Sequence, residues 1–474
     1  MMVKCDLCIK NGTIVTGSDT FQSSIYVKDE KILAITAAED ETYEAEETID
    51  AKGLHVLPGL IDTHVHSRDP GPTHKEDFYH STRAAAAGGI TTLFEMPNTT
   101  PPVDNETHFA LQKDNLSSKA AVDFGLWGIC LGHLNNEKLP ALHKQGVIGF
   151  KFFWGYAVHE ETFQLMYNYK PGMEKVIPPF HDGEVYEMME HVAKTGQIFA
   201  VHAENNDLIQ TLTDRVEKRG GRSYEDLLEG RPSLTEFLTV QTGIAMARAT
   251  GVRFHVLHVS SGDSVEIIRQ AQREGLPVTV ETCPHYLFLS AEQYDEIGST
   301  MKVYPPVKYK KDQEAIWEGI LDGTISSVCS DHAPHTSSEK DGELWSIPAG
   351  MCGVETLAPL MLNAVSEKRI TLNRFVQLLS EEPARMYGIA PQKGTIHPGS
   401  DADFTFVDME MEDKIDINKL HSKSKVSAYH NFPVKGWPVR TIVRGKTVMD
   451  KGSVTAESAG CLVTPAAKGD MLYE

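Results

Sequence analysis

Short apolar runs alternate with helix-like stretches through the middle of the chain. The helix-like stretches, such as HKEDFYHSTRAAAAGG and GDSVEIIRQAQREG, repeat their apolar residues at the period of an amphipathic helix. Eight strand-like runs are predicted, and they end near Asp62, Glu95, Gly128, Phe153, Ala203, Val259, Cys283 and Asp331. Eight strand–helix units predict an α/β fold with a closed (β/α)8 TIM barrel, in which active sites lie at the carboxyl ends of the strands.

Both ends of the chain have a β-rich pattern instead. Short strand-like pieces with turn signals, such as SSIYVKDEKILAI, fill the first part of the sequence, and similar pieces return in VRTIVRGKTVMDKG. We therefore predict that residues 1–52 and 392–474 build one small β-domain with a C-terminal tail. Residues 53–391 are predicted to form the catalytic barrel.

Composition and charge narrow the function classes. The 474 residues carry a formal net charge of −21, which argues against nucleic acid because a polyanion-binding surface needs a basic face. No apolar run approaches the roughly 20 residues of a membrane span, and the N-terminal residues lack the apolar core of a secretory signal. Seven scattered cysteines suit a reducing compartment. We therefore expect a cytoplasmic protein whose partner is a small molecule, with neither a membrane nor a nucleic acid involved.

Residues of metal-binding types lie at or near five of the predicted strand ends. They are His64, His66, Lys151, His202, His258 and Asp331. His64 and His66 follow the apolar run LHVLPGLID, and alternate residues of a strand face the same side, so both imidazoles can bind one metal. A single HxH pair is weak evidence, but further residues of these types at strand ends indicate a metal-dependent hydrolytic site.

Lys151 differs from the other members of this set. A buried ammonium at a strand end would be repelled by divalent cations, so it cannot bind them as it stands. Addition of carbon dioxide to the neutral amine would give a carbamate, whose two oxygens could bridge two metals. The alternative is a lysine that extends out of the barrel into solvent. We expect an N-carboxylated Lys151.

A series of motifs runs through nearly the whole chain. They are PGLIDTHVHSRDPGPTHKEDF, GGITTLFEMPNTTPP, FKFFWGY, VHAEN, LHVSS, ETCPHYL, SDHAPHTSSEK and KGTIHPGSDADF. With them the chain resembles the cyclic amidohydrolases, a group of dihydroorotases, hydantoinases, dihydropyrimidinases and allantoinases. The motifs are more specific for the superfamily than for the substrate. The resemblance implies a (β/α)8 barrel with a β-sandwich domain built from both termini.

The resemblance also implies two divalent metal ions, expected to be Zn²⁺, bridged by the carboxylated Lys151. The ligands implied for one ion are His64, His66 and Asp331, and those implied for the other are His202 and His258. The same ligands accept manganese or cobalt. Two cations that share a water lower its pKa. Asp331 is then expected to take a proton as the ring carbonyl is attacked and to pass it to the departing amide nitrogen.

Three residues favour a substrate that carries a carboxylate. Arg68, Asn98 and His335 match positions where dihydroorotases hold the ring carboxylate of their substrate. An arginine suits this task because its planar guanidinium can bind a carboxylate through two hydrogen bonds. The alternative is that Arg68 pairs with an acidic neighbour such as Asp69 or Glu95.

Other features favour a different branch of the same group. Tyr156 lies five residues after Lys151, where hydantoinases and dihydropyrimidinases place a tyrosine whose hydroxyl stabilises the oxyanion. The long spacer between the fourth and fifth strands and the motif ETCPHYL also look more like hydantoinases and allantoinases. The alternative for Tyr156 is a packed aromatic side chain without a catalytic role.

These features predict a binuclear metal-dependent cyclic amidohydrolase that hydrolyses a ring amide bond of a cyclic amide or ureide. We favour a dihydroorotase-like enzyme, with a hydantoinase, dihydropyrimidinase or allantoinase as the alternative. A third alternative is a non-catalytic scaffold relative, but such relatives have lost metal ligands, and every ligand position is filled here. The resemblance also implies a homo-oligomer, either a dimer or a tetramer.

Overall fold

The computed structural model describes residues 2–36, 42–166 and 169–466, which form a barrel and a β-sandwich. In chain order, strands β1 to β23 span Val3–Lys10, Thr13–Val15, Thr20–Gln22, Ser24–Lys28, Lys31–Thr36, Tyr43–Asp50, His55–Pro58, Leu60–Val65, Ile90–Glu95, Asp123–Leu126, Gly128–Ile129, Phe150–Trp154, Ala157–His159, Leu165–Met166, Val176–Ile177, Ile198–Ala203, Arg253–Val256, Val278–Thr282, Ser327–Val328, Phe404–Lys414, Pro433–Val443, Lys446–Asp450 and Ser453–Val454. Helices α1 to α15 span Phe78–Ala87, Glu106–Ser117, Leu139–Gln145, Asp182–Thr195, Asn206–Lys218, Tyr224–Gly230, Ser233–Thr250, Gly262–Arg273, Pro284–Phe288, Tyr294–Ile297, Lys310–Asp322, Ser337–Lys340, Leu357–Ser366, Leu372–Val376 and Glu382–Met386.

The barrel consists of parallel strands in the order of the chain. Strand β9 pairs with β8 on one side and with β10 on the other. Strands β11, β12, β16, β17, β18 and β19 then follow as neighbours in that order. Strands β10 and β11 are two parts of one barrel strand, separated by Trp127. A parallel bridge between Val65 and His332 joins the last strand to the first. The predicted eight-stranded barrel is therefore confirmed, and its eight strands lie at the eight predicted runs.

Burial explains why these sequences form strands and helices. All the residues of β8, β9, β12 and β16 are buried, as expected for parallel strands that are covered on one face by helices and on the other by the barrel interior. Helix α8 buries Val265, Ile268 and Ala271, which recur at helical spacing and pack toward the strands. Helix α1 begins after Asp77, whose side chain accepts a hydrogen bond from the backbone N–H of His80.

The sandwich combines strands from both ends of the chain, as the resemblance implied. One sheet has the order β5, β4, β1, β6, and the other has the order β23, β22, β21, β20, β7, β2, β3. Strand β7 pairs antiparallel with β20, from Pro58 opposite Phe404 to His55 opposite Val407. Apolar side chains of both sheets, including Ile25 and Phe406, form a separate hydrophobic core.

Buried charges and the C-terminal segment connect the sandwich to the barrel. The ammonium of Lys393 binds carboxylates of Asp123, Asp401 and Asp403, and Arg444 also pairs with Asp123, which is the first residue of β10. Farther along, the backbone of Phe124 donates to the carbonyl of residue 461 and accepts from the N–H of residue 463. Residues 461–463 are therefore held against the third barrel strand.

Several predictions from the sequence stay predictions. The domain boundaries at 52/53 and 391/392 are among them, and β7, which follows the first boundary, pairs within the sandwich sheet. The cytoplasmic location and the dimeric or tetrameric state are the others. Among the described residues, no helix is long and apolar enough to cross a membrane.

Candidate active site

A cavity of about 970 Å³ opens at the carboxyl ends of the barrel strands. It is lined by every residue that the sequence analysis assigned to metal, catalysis or substrate: His64, His66, Arg68, Asn98, Lys151, Tyr156, His202, His258, Asp331 and His335. These residues come from positions spread over more than half of the chain, and the barrel brings them to one place. This is the position where barrel enzymes carry their active sites.

His64, His66 and Asp331 form one compact group. The Nε2 atoms of His64 and His66 lie 3.3 and 3.6 Å from Oδ1 of Asp331. Burial and nearby positive charges hold the pKa of His66 well below its usual value, so its imidazole is neutral. Burial raises the pKa of Asp331. Because two nitrogens and a carboxylate oxygen converge, the group has the donor set of a divalent metal site.

His202 on β16 and His258, two residues after the neighbouring β17, form a second pair. Nδ1 of His202 lies 3.1 Å from Nε2 of His258. Burial lowers the pKa of His202 to about 4 and holds that of His258 well below its usual value, so both rings are neutral. Neutral imidazoles are the form that binds metals.

Lys151 is the second residue of β12, within the strand rather than at its predicted end, and it lines the same cavity as these groups. Its side chain is fully buried, and Nζ has no hydrogen-bond partner in the described part of the chain. Burial lowers the pKa of the ammonium to about 7, which leaves much of the amine neutral near physiological pH. An unpaired amine inside a barrel is costly, so its environment is incomplete without a further group.

Three site residues have backbone conformations that are rare for residues other than glycine. Arg68, His258 and Asp331 have φ angles of 60°, 37° and 45°. Each lies just after a barrel strand, where the chain turns away from the barrel. Such conformations cost on the order of 1–3 kcal/mol each and cluster at functional sites. The fold therefore maintains strained backbone at the residues that line the cavity.

Buried carboxylates orient residues at the carboxyl end of β8. Glu281 accepts from Nδ1 of His64 at 2.8 Å, which directs Nε2 toward Asp331. Burial alone would raise the pKa of Glu281, but His255 and His64 hold it well below its usual range. Glu95 accepts from the backbone N–H and the hydroxyl of Ser67. Glu281 was not predicted as a site residue, although it is the first residue of the motif ETCPHYL.

Tyr156 packs against a site histidine, beside a buried polar group. Its ring lies edge-on to that of His202, with centroids 4.9 Å apart. Glu204 contacts Nε2 of His202 at 3.0 Å and accepts from Nη1 of Arg231 at 2.7 Å. Sequence reasoning missed Glu204, although strand alternation places it on the same side as His202. No local sequence pattern points to Arg231 as a site residue.

The three residues assigned to a substrate carboxylate have different surroundings. Arg68 forms no ion pair with any described residue, and its buried Nε has no hydrogen-bond partner there. The acidic neighbours proposed as its partners are bound elsewhere, Asp69 by Lys119 at 2.7 Å and Glu95 by Ser67.

Asn98 and His335 are already engaged with protein groups. Oδ1 of Asn98 lies 3.0 Å from Nδ1 of His66, which orients that imidazole. Both ring nitrogens of His335 have partners, since Nδ1 lies 3.2 Å from Nζ of Lys75 and Nε2 lies 3.0 Å from the carbonyl of Ala349. Of the three residues, Arg68 alone presents a buried donor atom without a partner in the described structure.

Comparison with known proteins identifies the family. The model of the amidohydrolase family matches residues 55–448. The chain belongs to the amidohydrolase family. It is 36% identical over 457 residues to an L-hydantoinase from Paenarthrobacter aurescens, covering 95% of this chain and 96% of that one. An allantoinase from Rubrobacter xylanophilus is 36% identical over 464 residues, covering 97% and 98% of the two chains.

Solved structures give the same result. The L-hydantoinase (dihydropyrimidinase) from Arthrobacter aurescens superposes with a TM-score of 0.90 at 36% identity, covering 97% of this chain and 100% of that one. A D-hydantoinase structure superposes with a TM-score of 0.87 at 30% identity, covering 97% and 98%. The sequence-based recognition of the group is confirmed. These relatives are hydantoinases and allantoinases, so the dihydroorotase-like preference is not confirmed and its alternative is better supported.

Proposed function

We propose that this protein is a metal-dependent cyclic amidohydrolase that opens the ring of a cyclic ureide, with hydantoins and allantoin as the first candidates. The observation that carries the proposal is the convergence of four imidazoles, Asp331 and Lys151 in one barrel cavity, with Nζ of Lys151 lacking a hydrogen-bond partner among the described residues. The amidohydrolase family generally uses a binuclear metal centre with a carboxylated lysine. A hydrolase that acts on cyclic amides is also supported by the relatives described above.

The residues present fit a pair of divalent ions, for which we propose Zn²⁺. His64, His66 and Asp331 would hold one ion, and His202 and His258 the other. Lys151, once carboxylated, would contribute to both, which accounts for a fully buried Nζ without a partner in the described structure. When bound, the ions would lower the pKa of a water and polarise the scissile carbonyl.

The protein side chains then perform the remaining tasks. Asp331 would accept a proton as the carbonyl is attacked and return it to the amide nitrogen that leaves the ring. Tyr156 lines the cavity, and we propose that its hydroxyl donates to the oxygen on which negative charge develops. Burial of the histidines, Lys151 and Tyr156 keeps these interactions away from bulk water, where they would be weaker.

The substrate class follows from the relatives and from Tyr156. A hydantoinase and an allantoinase each match about 95% or more of this chain at 36% identity. A hydroxyl donor in the cavity wall suits an uncharged ring, because the charge that it stabilises exists only as the ring opens. We therefore rank uncharged cyclic ureides above dihydroorotate.

One observation supports dihydroorotate as a second candidate. Arg68 lines the cavity, is not paired with an acidic residue in the described structure and keeps Nε without a partner. A guanidinium in this state suits a carboxylate, either on the substrate or on the ring-opened product.

The proposal is tested by metal analysis and a substrate panel. Protein purified without chelators should contain close to two divalent ions per chain, and metal-loaded protein should open hydantoin, dihydrouracil, allantoin or dihydroorotate. Absence of metal under all loading conditions, together with no ring opening, would contradict the proposal and favour a scaffold.

Two substitutions distinguish the substrates. With uncharged rings, Tyr156→Phe should lower kcat by about 10²–10³-fold through loss of an oxyanion donor, while Arg68→Ala should have little effect. With dihydroorotate as the substrate, Arg68→Ala should instead cost about 100-fold or more in kcat/KM, as expected when a charged, bidentate partner is lost. The relative size of the losses in Tyr156→Phe and Arg68→Ala therefore distinguishes an uncharged cyclic ureide from dihydroorotate as the substrate.

A further inference from the structure

Residues 344–350, which we call the wall segment, form one side of the cavity without belonging to a helix or a strand. They lie between α12 and α13, and all of them except Leu344 line the cavity. Backbone outside regular structure has to find its hydrogen-bond partners elsewhere. Two buried lysines supply the donors for most carbonyls of the wall segment.

Lys302 binds the first half of the wall segment. Its Nζ atom lies 2.6 and 2.5 Å from the carbonyl oxygens of Leu344 and Ile347. The backbone of Lys302 also contributes, because its carbonyl accepts from the N–H of Gly350 at 2.9 Å. The side chain is buried, and within the described structure its hydrogen-bond partners are these carbonyls.

Lys340, the last residue of α12, binds the second half. Its Nζ atom lies 3.1 and 3.0 Å from the carbonyl oxygens of Pro348 and Gly350, and 2.9 Å from that of Lys302. Three acceptors match the three N–H groups of an ammonium, whereas a neutral amine has two. Lys340 is also buried, and burial of a charge is costly. An apolar side chain would suffice for packing, so what Lys340 adds is the fixed arrangement of three carbonyls.

The carbonyl of Ala349 connects this arrangement to a residue of the candidate site. Lys340 holds the carbonyls on both sides of it, and its own oxygen lies 3.0 Å from Nε2 of His335. A carbonyl can only accept, so Nε2 carries the proton and Nδ1, 3.2 Å from Nζ of Lys75, is the acceptor. The orientation of the His335 ring therefore depends on where the wall segment holds Ala349.

The wall segment also packs closely against the chain that follows the last barrel strand. Gly350 has a φ angle of 133°, and a Cβ atom added there would lie 2.3 Å from the carbonyl oxygen of Ala333. Only glycine fits at such a position. The N–H of Ala333 donates to the carbonyl of Met351 at 2.9 Å. The end of the wall segment and the residues after Asp331 are thus packed too closely to move independently.

We propose that Lys302 and Lys340 are positioning residues that hold the wall segment and, through the Ala349 carbonyl, the ring of His335. This side of the cavity is then formed before the substrate binds, so binding does not carry the free-energy cost of ordering a loop. The inference deepens the proposed function, and it rests on that function only where substrate kinetics are concerned.

Hydrogen exchange measured by mass spectrometry tests the hold on the wall segment without a substrate. In Lys340→Met and in Lys302→Met, the backbone amides that report on this segment should exchange at least about tenfold faster than in the wild type, as expected for local opening. The reporting amides, which donate to backbone carbonyls, are those of Ser346, Ile347 and Gly350. Lys28→Met is the matched control, because Lys28 also donates to a carbonyl, that of Lys4 at 3.1 Å, but at an exposed place in the sandwich.

Steady-state kinetics of metal-loaded protein test the consequence for binding. For the ring that the wild type opens best, Lys340→Met should raise KM by about tenfold and change kcat by less than about threefold, the pattern of lost binding. Metal content should equal that of the wild type, because the ammonium of Lys340 binds backbone carbonyls and no residue assigned to the ions.

A double-mutant cycle tests the connection to His335. His335→Ala should raise KM at least about threefold less in the Lys340→Met background than in the Lys28→Met background, because the ring is already misplaced without Lys340. Equal costs in the two backgrounds would overturn the connection and the inference with it.

The other outcomes also decide the inference separately from the proposed function. It is overturned if the wall segment exchanges in Lys340→Met and Lys302→Met as it does in Lys28→Met, or if Lys340→Met keeps the wild-type KM or loses metal. Lys302→Met, assayed in the same way, keeps the test decisive should Lys340→Met fail to fold. A wild-type protein that binds no metal and opens no ring would overturn the proposed function, and hydrogen exchange would still decide whether the two lysines hold the wall segment.

Discussion

Lys151 and Lys393 are both buried lysines, yet their surroundings are opposite. Lys393 lies between barrel and sandwich, and its ammonium binds Asp123, Asp401 and Asp403. These partners raise its pKa despite burial. Lys151 lies in the cavity, and its Nζ has no hydrogen-bond partner within the described residues. Burial lowers its pKa to about 7.

The difference separates a structural charge from a reactive one. The buried ammonium of Lys393 loses its hydration, and three carboxylates compensate for that loss. It therefore stabilises one arrangement of the barrel and the sandwich. A buried amine without a hydrogen-bond partner is destabilising unless a further group binds to it. A neutral amine is also the form that can react with carbon dioxide. The comparison therefore supports a stabilising role for Lys393 and, with the proposed function, a chemical role for Lys151.

The largest effect is expected from Lys151→Ala. Loss of the group that would bridge both ions should release metal and lower kcat by on the order of 10⁴-fold or more, as for residues that act as one catalytic unit. Metal analysis and turnover of the purified variant check this. Small carboxylates such as acetate should restore part of the activity by replacing the bridge. A fully active, metal-loaded Lys151→Ala protein would contradict the assignment.

Lys393→Met should affect stability instead. The substitution leaves Asp123, Asp401 and Asp403 buried without their shared cation, which should lower the free energy of unfolding by about 3–5 kcal/mol. Urea unfolding measures this, and metal content per folded chain should not change. Lys31→Met is the control, because Lys31 pairs with Asp401 from a half-exposed position and should cost about 1 kcal/mol or less. Equal losses in the two variants would refute the structural role.

The smallest effect is expected at the partly exposed pair of Lys75 and Glu339, whose Nζ and Oε1 atoms lie 2.7 Å apart. Partial burial raises the pKa of Glu339, but the hydrogen bond from Lys75 and that from the backbone of Thr336 lower it to about 2. Its stabilisation is thus present above the unfolded pKa near 4.5 and is lost as the pH falls toward 2. In Glu339→Gln, unfolding free energy should depend less on pH between 6 and 4, by under about 1 kcal/mol. An unchanged pH profile would contradict this contribution.

The barrel and most of the site could be predicted because their signals are local. Apolar runs with ligand-type residues at their ends place His64, His66, His202, His258 and Asp331 at one face once a barrel is assumed. Strand alternation and the rule that barrel strands end at the active site carry this information.

The parts that escaped prediction depend on contacts between distant segments. Arg231 is 27 residues from Glu204, and no periodicity connects them. Asn98 looks like a substrate ligand in sequence, but in the structure its Oδ1 atom faces His66. The substrate class could not be predicted either, because Arg68 and Tyr156 point to different members of one family. Only the whole-chain similarity to hydantoinases and allantoinases favours uncharged cyclic ureides.

The sandwich that joins β7 to β20 also has a consequence for how the protein is made. About 350 residues separate the two paired strands, and the ribosome adds about 5–20 residues per second. The N-terminal strands therefore wait on the order of 20–70 s for their partner. During this interval their unpaired edges can bind other nascent chains. Slower initiation or a chaperone that covers the first 60 residues should thus raise the yield of folded protein.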